Sequence, residues 1–332
     1  MVAYLGTGAG ICGDFDFGHW DEFVHGDSGV ADAAAAVLPA KEGQMKWMQY
    51  RGFYFGLSLL IIVPGIAAMV MWGFKPAIDF TGGSLAEIRV TADETGLRKL
   101  AQEEGVGVKS VQSLEDGVLV RMEPIDQAKW TQLRAKWEQS FGTVEELRFE
   151  TVGPTLGREL LMKTITAVAL AAGLILLYIA YRFRSMKFGI CAVMAMLHDT
   201  LVLLGSFSLL GRFYGVEVDT LFVTAMLTIL SFSVHDTIVV YDRIREMRKL
   251  KPKLGFEEVV NEAVTTTLSR SINNSMTIIF MLLALFLLGG ATIRWFVLAL
   301  LIGTISGTYS STFTAAPLLV VWEKVVHKNK SI

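Results

Sequence analysis

A chain of 332 residues that is 52% hydrophobic and 19% charged, with a mean hydropathy of +0.48, is too apolar to hide its surface in one soluble core, so most of it is expected in lipid. A formal net charge of −2 gives no global basic field for nucleic acid. Two cysteines, Cys12 and Cys191, do not make a disulfide framework, and neither a zinc-type Cys/His spacing nor a phosphate-cradling Gly-Lys-Ser/Thr motif occurs.

Residues 1–40 hold six acids and no Lys or Arg, and Gly and Ala dominate. Without a basic segment ahead of an apolar one they are not a secretory signal. They read as a disordered cytoplasmic tail, with an acidic partner-binding segment as the alternative. Residues 41–51 (KEGQMKWMQYR) are basic and aromatic. Residues 52–74 suffice for a first span, which needs about 20 residues, with a kink at Pro64.

The composition then turns polar over residues 75–160. Alternation predicts a strand at 85–90, helical spacing covers 92–104, and strands at 108–112 and 118–123 join at Glu115-Asp116-Gly117. A helix over 124–140 has Pro124 at its start, and 144–152 is a last strand. The order βαββαβ is that of a small ferredoxin-like domain.

Further spans are expected at 161–181, 188–210, 220–241, 272–288 and 295–321. Residues 255–269 are amphipathic, with Phe256, Val259, Val260, Ala263, Val264 and Leu268 on one face, and are expected to lie along the membrane surface. The fold class is thus an α-helical integral membrane protein of six transmembrane helices, with a small α+β ferredoxin-like extracytoplasmic domain between helices 1 and 2. Its blocks are the tail 1–40, a basic segment with the first helix 41–74, the external domain 75–160, a five-helix bundle 161–322 and a cytoplasmic tail 323–332. Basic segments 41–51, 182–187 and 243–253 lie on one side with Lys324, Lys328 and Lys330, whereas loops 211–218 and 289–294 carry one Arg each. Both termini are therefore expected in the cytoplasm.

The stretch 221–245 (LFVTAMLTILSFSVHDTIVVYDRIR) carries His235 and Asp236 inside a membrane-length apolar run and ends in Asp242, Arg243 and Arg245. A carboxylate at the centre of a span costs about 2.5–3.5 kcal/mol on the insertion scale, so such groups mark pathways. Asp236 is the first candidate, about 9 Å inside its expected span end. Thr224, Thr228, Ser231, His235 and Asp242 share one sector, with Asp236 at its edge. That sector faces protein or water, or bonds across helices. Asp199, beside His198, is the second candidate: a partner carboxyl to Asp236, or a structural Asp bonded to a hydroxyl or a helix end.

Arg270, followed by Asn273 and Asn274, is a cation that pairs with Asp236 or snorkels to lipid phosphates. His198 and His235 are candidate proton relays. Asp242, Arg243 and Arg245 read as cytoplasmic anchors. Gly303, Gly307 and Ser311, spaced by four, read as a device for close helix packing. No nucleophile–base set and no metal cluster is legible, so no catalytic residue, metal or cofactor is expected. The coupling ion is expected to be a proton, with sodium as the alternative.

Six motifs carry a resemblance. IDFTGGS (78–84), VGPTLGREL (152–160), LHDT (197–200), SVHDTIVVYDRIRE (233–246), TLSRSINNS (267–275) and GTISGTYSSTFTAAP (303–317) together resemble the SecD/SecF family of protein-export membrane subunits over about residues 45–325. The last four look like its SecF branch. The resemblance implies a member of the resistance-nodulation-division superfamily in the bacterial cytoplasmic (inner) membrane. It implies SecD, the SecYEG channel, YajC, YidC and a translocating unfolded polypeptide as partners, and use of the proton-motive force in late steps of export. It puts the family's intramembrane acid on Asp236, its fifth-span arginine on Arg270 and its third-span His-Asp on His198 and Asp199; His235 stands where many members have Asn. Asp79, Gly82, Gly83, Gly153 and Gly157 lie in the connectors of the external domain and are expected to act as hinges. The rival expectations are a small-molecule or lipid exporter of the same superfamily and a non-transporting scaffold of the translocon.

Overall fold

The computed structural model describes residues 45–114, 117–183 and 185–330. The expected tail 1–40 and the turn residues Glu115 and Asp116 lie outside them. A short 3-10 turn, Trp47–Tyr50, leads into α1 (Arg51–Trp72). Then come α2 (Ile78–Thr81), β1 (Gly83–Arg89), α3 (Glu94–Glu103), β2 (Val108–Leu114), β3 (Gly117–Met122), α4 (Gln127–Phe141) and β4 (Glu145–Val152). The chain continues as α5 (Pro154–Phe183), α6 (Met186–Tyr214), α7 (Thr220–Leu250) and α8 (Phe256–Leu288). A last rod consists of α9 (Ala291–Ser310), a π-turn (Ser311–Ala315) and α10 (Ala316–Lys330). Among the described residues, six helices are long and apolar enough to cross a membrane.

Most of these helices outrun the spans read from hydropathy, because polar turns continue the backbone ladder beyond the apolar window. α7 has 31 residues, about 46 Å at the helical rise, against about 30 Å of hydrocarbon. Asp236 therefore sits near its middle, not six residues from its end. The expected surface helix 255–269 is corrected likewise: it is the first half of the unbroken α8. Its face of Val259, Val260, Ala263 and Val264 is buried in the main apolar cluster of the bundle, and Asn261 accepts from the Met48 amide at 2.9 Å. A face already covered by protein has no need of the lipid surface.

The strands form one sheet in the order β2-β3-β1-β4, with every pair antiparallel. Ala86 and Ile88 of β1 and Val120 and Met122 of β3 point to the face covered by α3 and α4, where Leu97, Ala101, Trp130, Leu133 and Trp137 complete the core. Asp93 and Asp126 cap these two helices by accepting from the amides of Gly96 and Lys129, the usual side-chain solution for an open helix start. Period-2 alternation leaves Leu85, Glu87, Leu119 and Arg121 on the other face, towards the helix bundle and a cavity of about 480 Å³.

Two close crossings hold the bundle. A Cβ on Gly65 of α1 would stand 3.0 Å from the Gly205 Cα of α6, so these helices meet backbone to backbone. On α9, Gly303 and Gly307 lie against Ile229 and Ser233 of α7. α5 differs: its most apolar window has no buried residue.

The expected hinge is a tight joint instead. Gly82 has φ +68°, and a Cβ there would stand 2.6 Å from the Pro154 Cα. A Cβ on Gly157 would stand 2.7 Å from the Gly82 amide nitrogen. The short α2 is thus pressed on the first turn of α5. Gly83, at φ +141°, leads straight into β1, and Gly153 has open space.

Candidate functional site

The two intramembrane carboxylates read from the sequence lie in one polar cluster, with unequal surroundings. Asp199 on α6 is fully buried and accepts at both oxygens. Its Oδ1 takes the Ser306 hydroxyl at 2.6 Å and His198 Nδ1 at 3.0 Å. Its Oδ2 takes Ser233 at 2.5 Å and Ser310 at 2.6 Å. In the tautomer that carries its hydrogen on Nδ1, His198 accepts at Nε2 from the Ser58 hydroxyl of α1, 3.0 Å away. Tyr309 stacks beside that imidazole, with ring centroids 6.1 Å apart, and donates to the Tyr54 carbonyl at 2.7 Å. Four helices thus converge on Asp199, and no lone pair of its carboxylate faces open space.

Asp236 on α7 is 5% exposed and more loosely held. Its Oδ2 accepts from Ser271 of α8 at 2.5 Å and from Ser311 at a long 3.4 Å. Among the described residues, Oδ1 receives no hydrogen bond. A carboxyl that must take up and give back a proton needs such an open oxygen, and Asp199 has none. The π-turn links the two centres: Ser310 and Ser311 are neighbours in sequence, yet one serves Asp199 and the other Asp236. Among the described residues, the hydroxyls of buried Thr312 and Thr314 in this turn have no partner. π-turns recur at functional sites. This one stands just before Pro317, which has no N–H for the carbonyl one turn back and whose ring crowds it. Ser311, expected as a packing residue, is therefore part of the site.

Arg270 is exposed and, among the described residues, forms no ion pair with Asp236. It lines a cavity of about 670 Å³ with Arg182, Asp242, Arg243, Arg245 and Lys249. The reason is angular: neighbouring helix positions point about 100° apart, and on α8 it is Ser271 that faces Asp236. His235, next to Asp236, is exposed as well, together with Thr224, Thr228 and Ser231. The polar sector read on α7 is real, but this chain leaves it uncovered. Asp242 pairs with Arg182 at 2.5 Å and lies 3.8 Å from Arg245, while Arg243 pairs with Glu246 at 2.8 Å. Asp79, placed among the hinge residues, accepts from the Thr220 amide and hydroxyl at 3.1 and 2.8 Å. It holds the first turn of the helix that carries Asp236.

Residues 132–325 match the family profile described as the C-terminal part of the protein export membrane protein SecD/SecF. The SecF translocase subunit of Thermobaculum terrenum is 46% identical over 297 residues, covering 83% of this chain and 93% of its own. The chain belongs to the SecD/SecF family. A SecF subunit of Anaerolinea thermophila is 40% identical over 290 residues, 84% of this chain and 94% of its own. The crystal structure of SecDF from Thermus thermophilus, described as a translocon-associated membrane protein, superposes with a TM-score of 0.76 at 32% identity. It covers 89% of this chain, and this chain spans 41% of that longer one. Within this SecF-like frame, the residues that the sequence did not single out are Ser58, Ser233, Ser271, Ser306 and Ser310. Four of them, Ser233, Ser271, Ser306 and Ser310, lie inside the motifs that carry the resemblance, and Ser306 and Ser310 stand four apart while Ser233 stands one turn before Asp236.

Proposed function

We propose that this chain is an accessory subunit of the Sec protein translocase which, together with a SecD partner, uses the proton-motive force to promote late steps of protein export across the bacterial cytoplasmic membrane. The observation that carries the reading is the open Oδ1 of Asp236, inside a bundle whose other carboxylate is saturated. The relatives named SecF and SecDF support the same assignment.

The membrane field is worth about 2.3 kcal/mol per charge per 100 mV, so a few protons passing Asp236 suffice for a conformational step. The sheet domain is read as ferredoxin-like and extracytoplasmic, spanning about residues 75–160. The basic segments near Arg51, Arg182 and Arg243 support cytoplasmic termini.

The uncovered stripe Thr224, Thr228, Ser231 and His235 on α7, with Arg270, Asn273 and Asn274 on α8, is the face a partner covers. Lipid offers such groups no hydrogen bonds. The SecD portion of the longer SecDF chain is the natural occupant. Arg270 then meets its counter-charge on that partner and not on Asp236. SecYEG, YajC and YidC are proposed as neighbours on the family resemblance alone.

The test is export completion in inner-membrane vesicles carrying Asp236→Asn. The gradient-dependent increment is expected to disappear. Completion that responds to the gradient as in the unsubstituted protein removes Asp236 from the mechanism.

A further inference from the structure

At the end of the bundle nearest the sheet, α6 and α7 are joined by the loop 215–219, which is gripped from two sides. On one side the connector after α1 pairs with it backbone to backbone. Val218 N–H donates to the Lys75 carbonyl at 2.8 Å, and Ala77 N–H donates to the Val218 carbonyl at 2.9 Å. Asp79 holds Thr220 on the same side. On the other side the open face of the sheet reaches the loop. Arg121 Nε of β3 lies 2.6 Å from Glu217 Oε1, with the two side chains only 14% and 18% exposed. The pair joins a strand of the sheet to the loop by opposite charges largely shielded from water. Arg121 is steadied on β2 by Ser110 at 3.3 Å, and Gln112 donates to the Tyr214 carbonyl at 3.4 Å.

This loop runs directly into α7. Asp236 is sixteen residues beyond Thr220 on one uninterrupted helix, about 24 Å away. The covalent route is less direct: β4 enters α5, whose most apolar window is unburied and which, among the described residues, gives neither carboxylate a hydrogen bond.

We propose that Arg121 and Glu217 are positioning residues that couple the sheet to the helix bearing Asp236, so that displacement of α7 reaches β3 through their ion pair. The proposal rests on Asp236 being the loading group. Removing one member strands the other as a buried charge, whereas exchanging the two preserves the pair. The exchange keeps opposite charges at the two positions and is expected to work.

The test uses the full chain with its partner subunit in lipid nanodiscs. Hydrogen exchange is compared with and without Asp236→Asn, in four backgrounds: native, Arg121→Glu, Glu217→Arg and the double exchange. In the native background Asp236→Asn changes protection both at residues 218–222 and in β3. With either single reversal the change in β3 falls by about fivefold or more, at the low end of site-to-site coupling, while the change at 218–222 stays. The double exchange restores it. A β3 response that is the same in all four backgrounds, absent from the native one, or not recovered by the exchange overturns the proposal. Gradient-driven export is measured on the same four backgrounds. A native complex that ignores the gradient sinks the proton-driven reading, yet the exchange data still decide the coupling.

Discussion

Asp199 and Asp236 are chemically identical, and the cluster predicts opposite consequences for their removal. Asp199→Leu keeps the branched skeleton, with bulkier methyls in place of the oxygens, and takes the acceptor from four donors: Ser233, Ser306, Ser310 and His198. Serine hydroxyls on helices can turn back to the carbonyl one turn earlier, and Ser310 already reaches the Gly307 carbonyl at 3.3 Å. At about 1 kcal/mol for each donor that loses its partner, Asp199→Leu costs about 3–4 kcal/mol. Asp199→Asn keeps one acceptor oxygen and costs about 1–2 kcal/mol on the same scale. Asp236→Leu deprives one close donor, Ser271, and costs about 1–2 kcal/mol. The assay is the half-life of the purified complex in nanodiscs at fixed temperature, because unfolding of such proteins is irreversible and the measurable stability is a rate. Each 1.4 kcal/mol lost from the unfolding barrier shortens the half-life about tenfold, so Asp199→Leu is expected to fall well below Asp236→Leu. Equal half-lives would refute the division into a saturated structural carboxylate and a loosely held working one.

Other expectations follow from the same coordinates. Burial pushes the Glu217 carboxyl above the ordinary glutamate value of 4.5, against the pull of Arg121 on β3 and of Lys75 on the connector, with Asp219 of its own loop adding to the rise. Glu217→Gln removes the negative member of the pair and leaves Arg121 largely shielded without its counter-charge. Exchange protection in β3 is therefore expected to fall in that variant; unchanged protection contradicts this. Gly205→Val forces α6 away from α1 at the Gly65 crossing and is expected to cost about 1–3 kcal/mol, read as a shortened half-life; an unchanged half-life means that this crossing is not tight. Gly303→Ala overlaps the side chain of Ile229, and a second change, Ile229→Ala, should restore part of the lost half-life through non-additivity.

The spans were legible because lipid imposes a length and a composition that no tertiary contact overrides. Their ends were not, since the polar turns of α7 and α8 lie beyond the hydrocarbon and leave no mark in an apolar window. The succession of strands and helices in 83–152 followed from alternation and helical spacing. The two carboxylates stood out because Asp in an apolar run is costly anywhere. Their serines did not, because Ser is ordinary in membrane helices and only the relative rotation of α6, α7, α8 and α9 decides which hydroxyl meets which acid. The same rotation sends Ser271 inward and Arg270 outward, where helical spacing alone left Arg270 facing Asp236 as one option. Arg121 and Glu217 lie far apart in the chain and on different elements, and no local pattern joins them. Glycines beside Asp79 suggested freedom of movement, but Gly82 and Gly157 admit backbone against backbone and mark a weld.

The wide turn at Ser311–Ala315 solves a problem of phase. Before it, Gly303, Gly307 and Ser310 present one side of the last rod to α7 and the acids; from its last residue, Ala315, onward, Ala316, Leu319 and Val320 must meet the greasy interior. A regular ladder advances about 100° per residue, and the surplus residue absorbed in the bulge resets that count. Excising one amino acid there would remove the surplus, straighten the rod and leave its lower half in phase, whereas excising one from the regular turns on either side, with the bulge kept, would swing that half by about 100°.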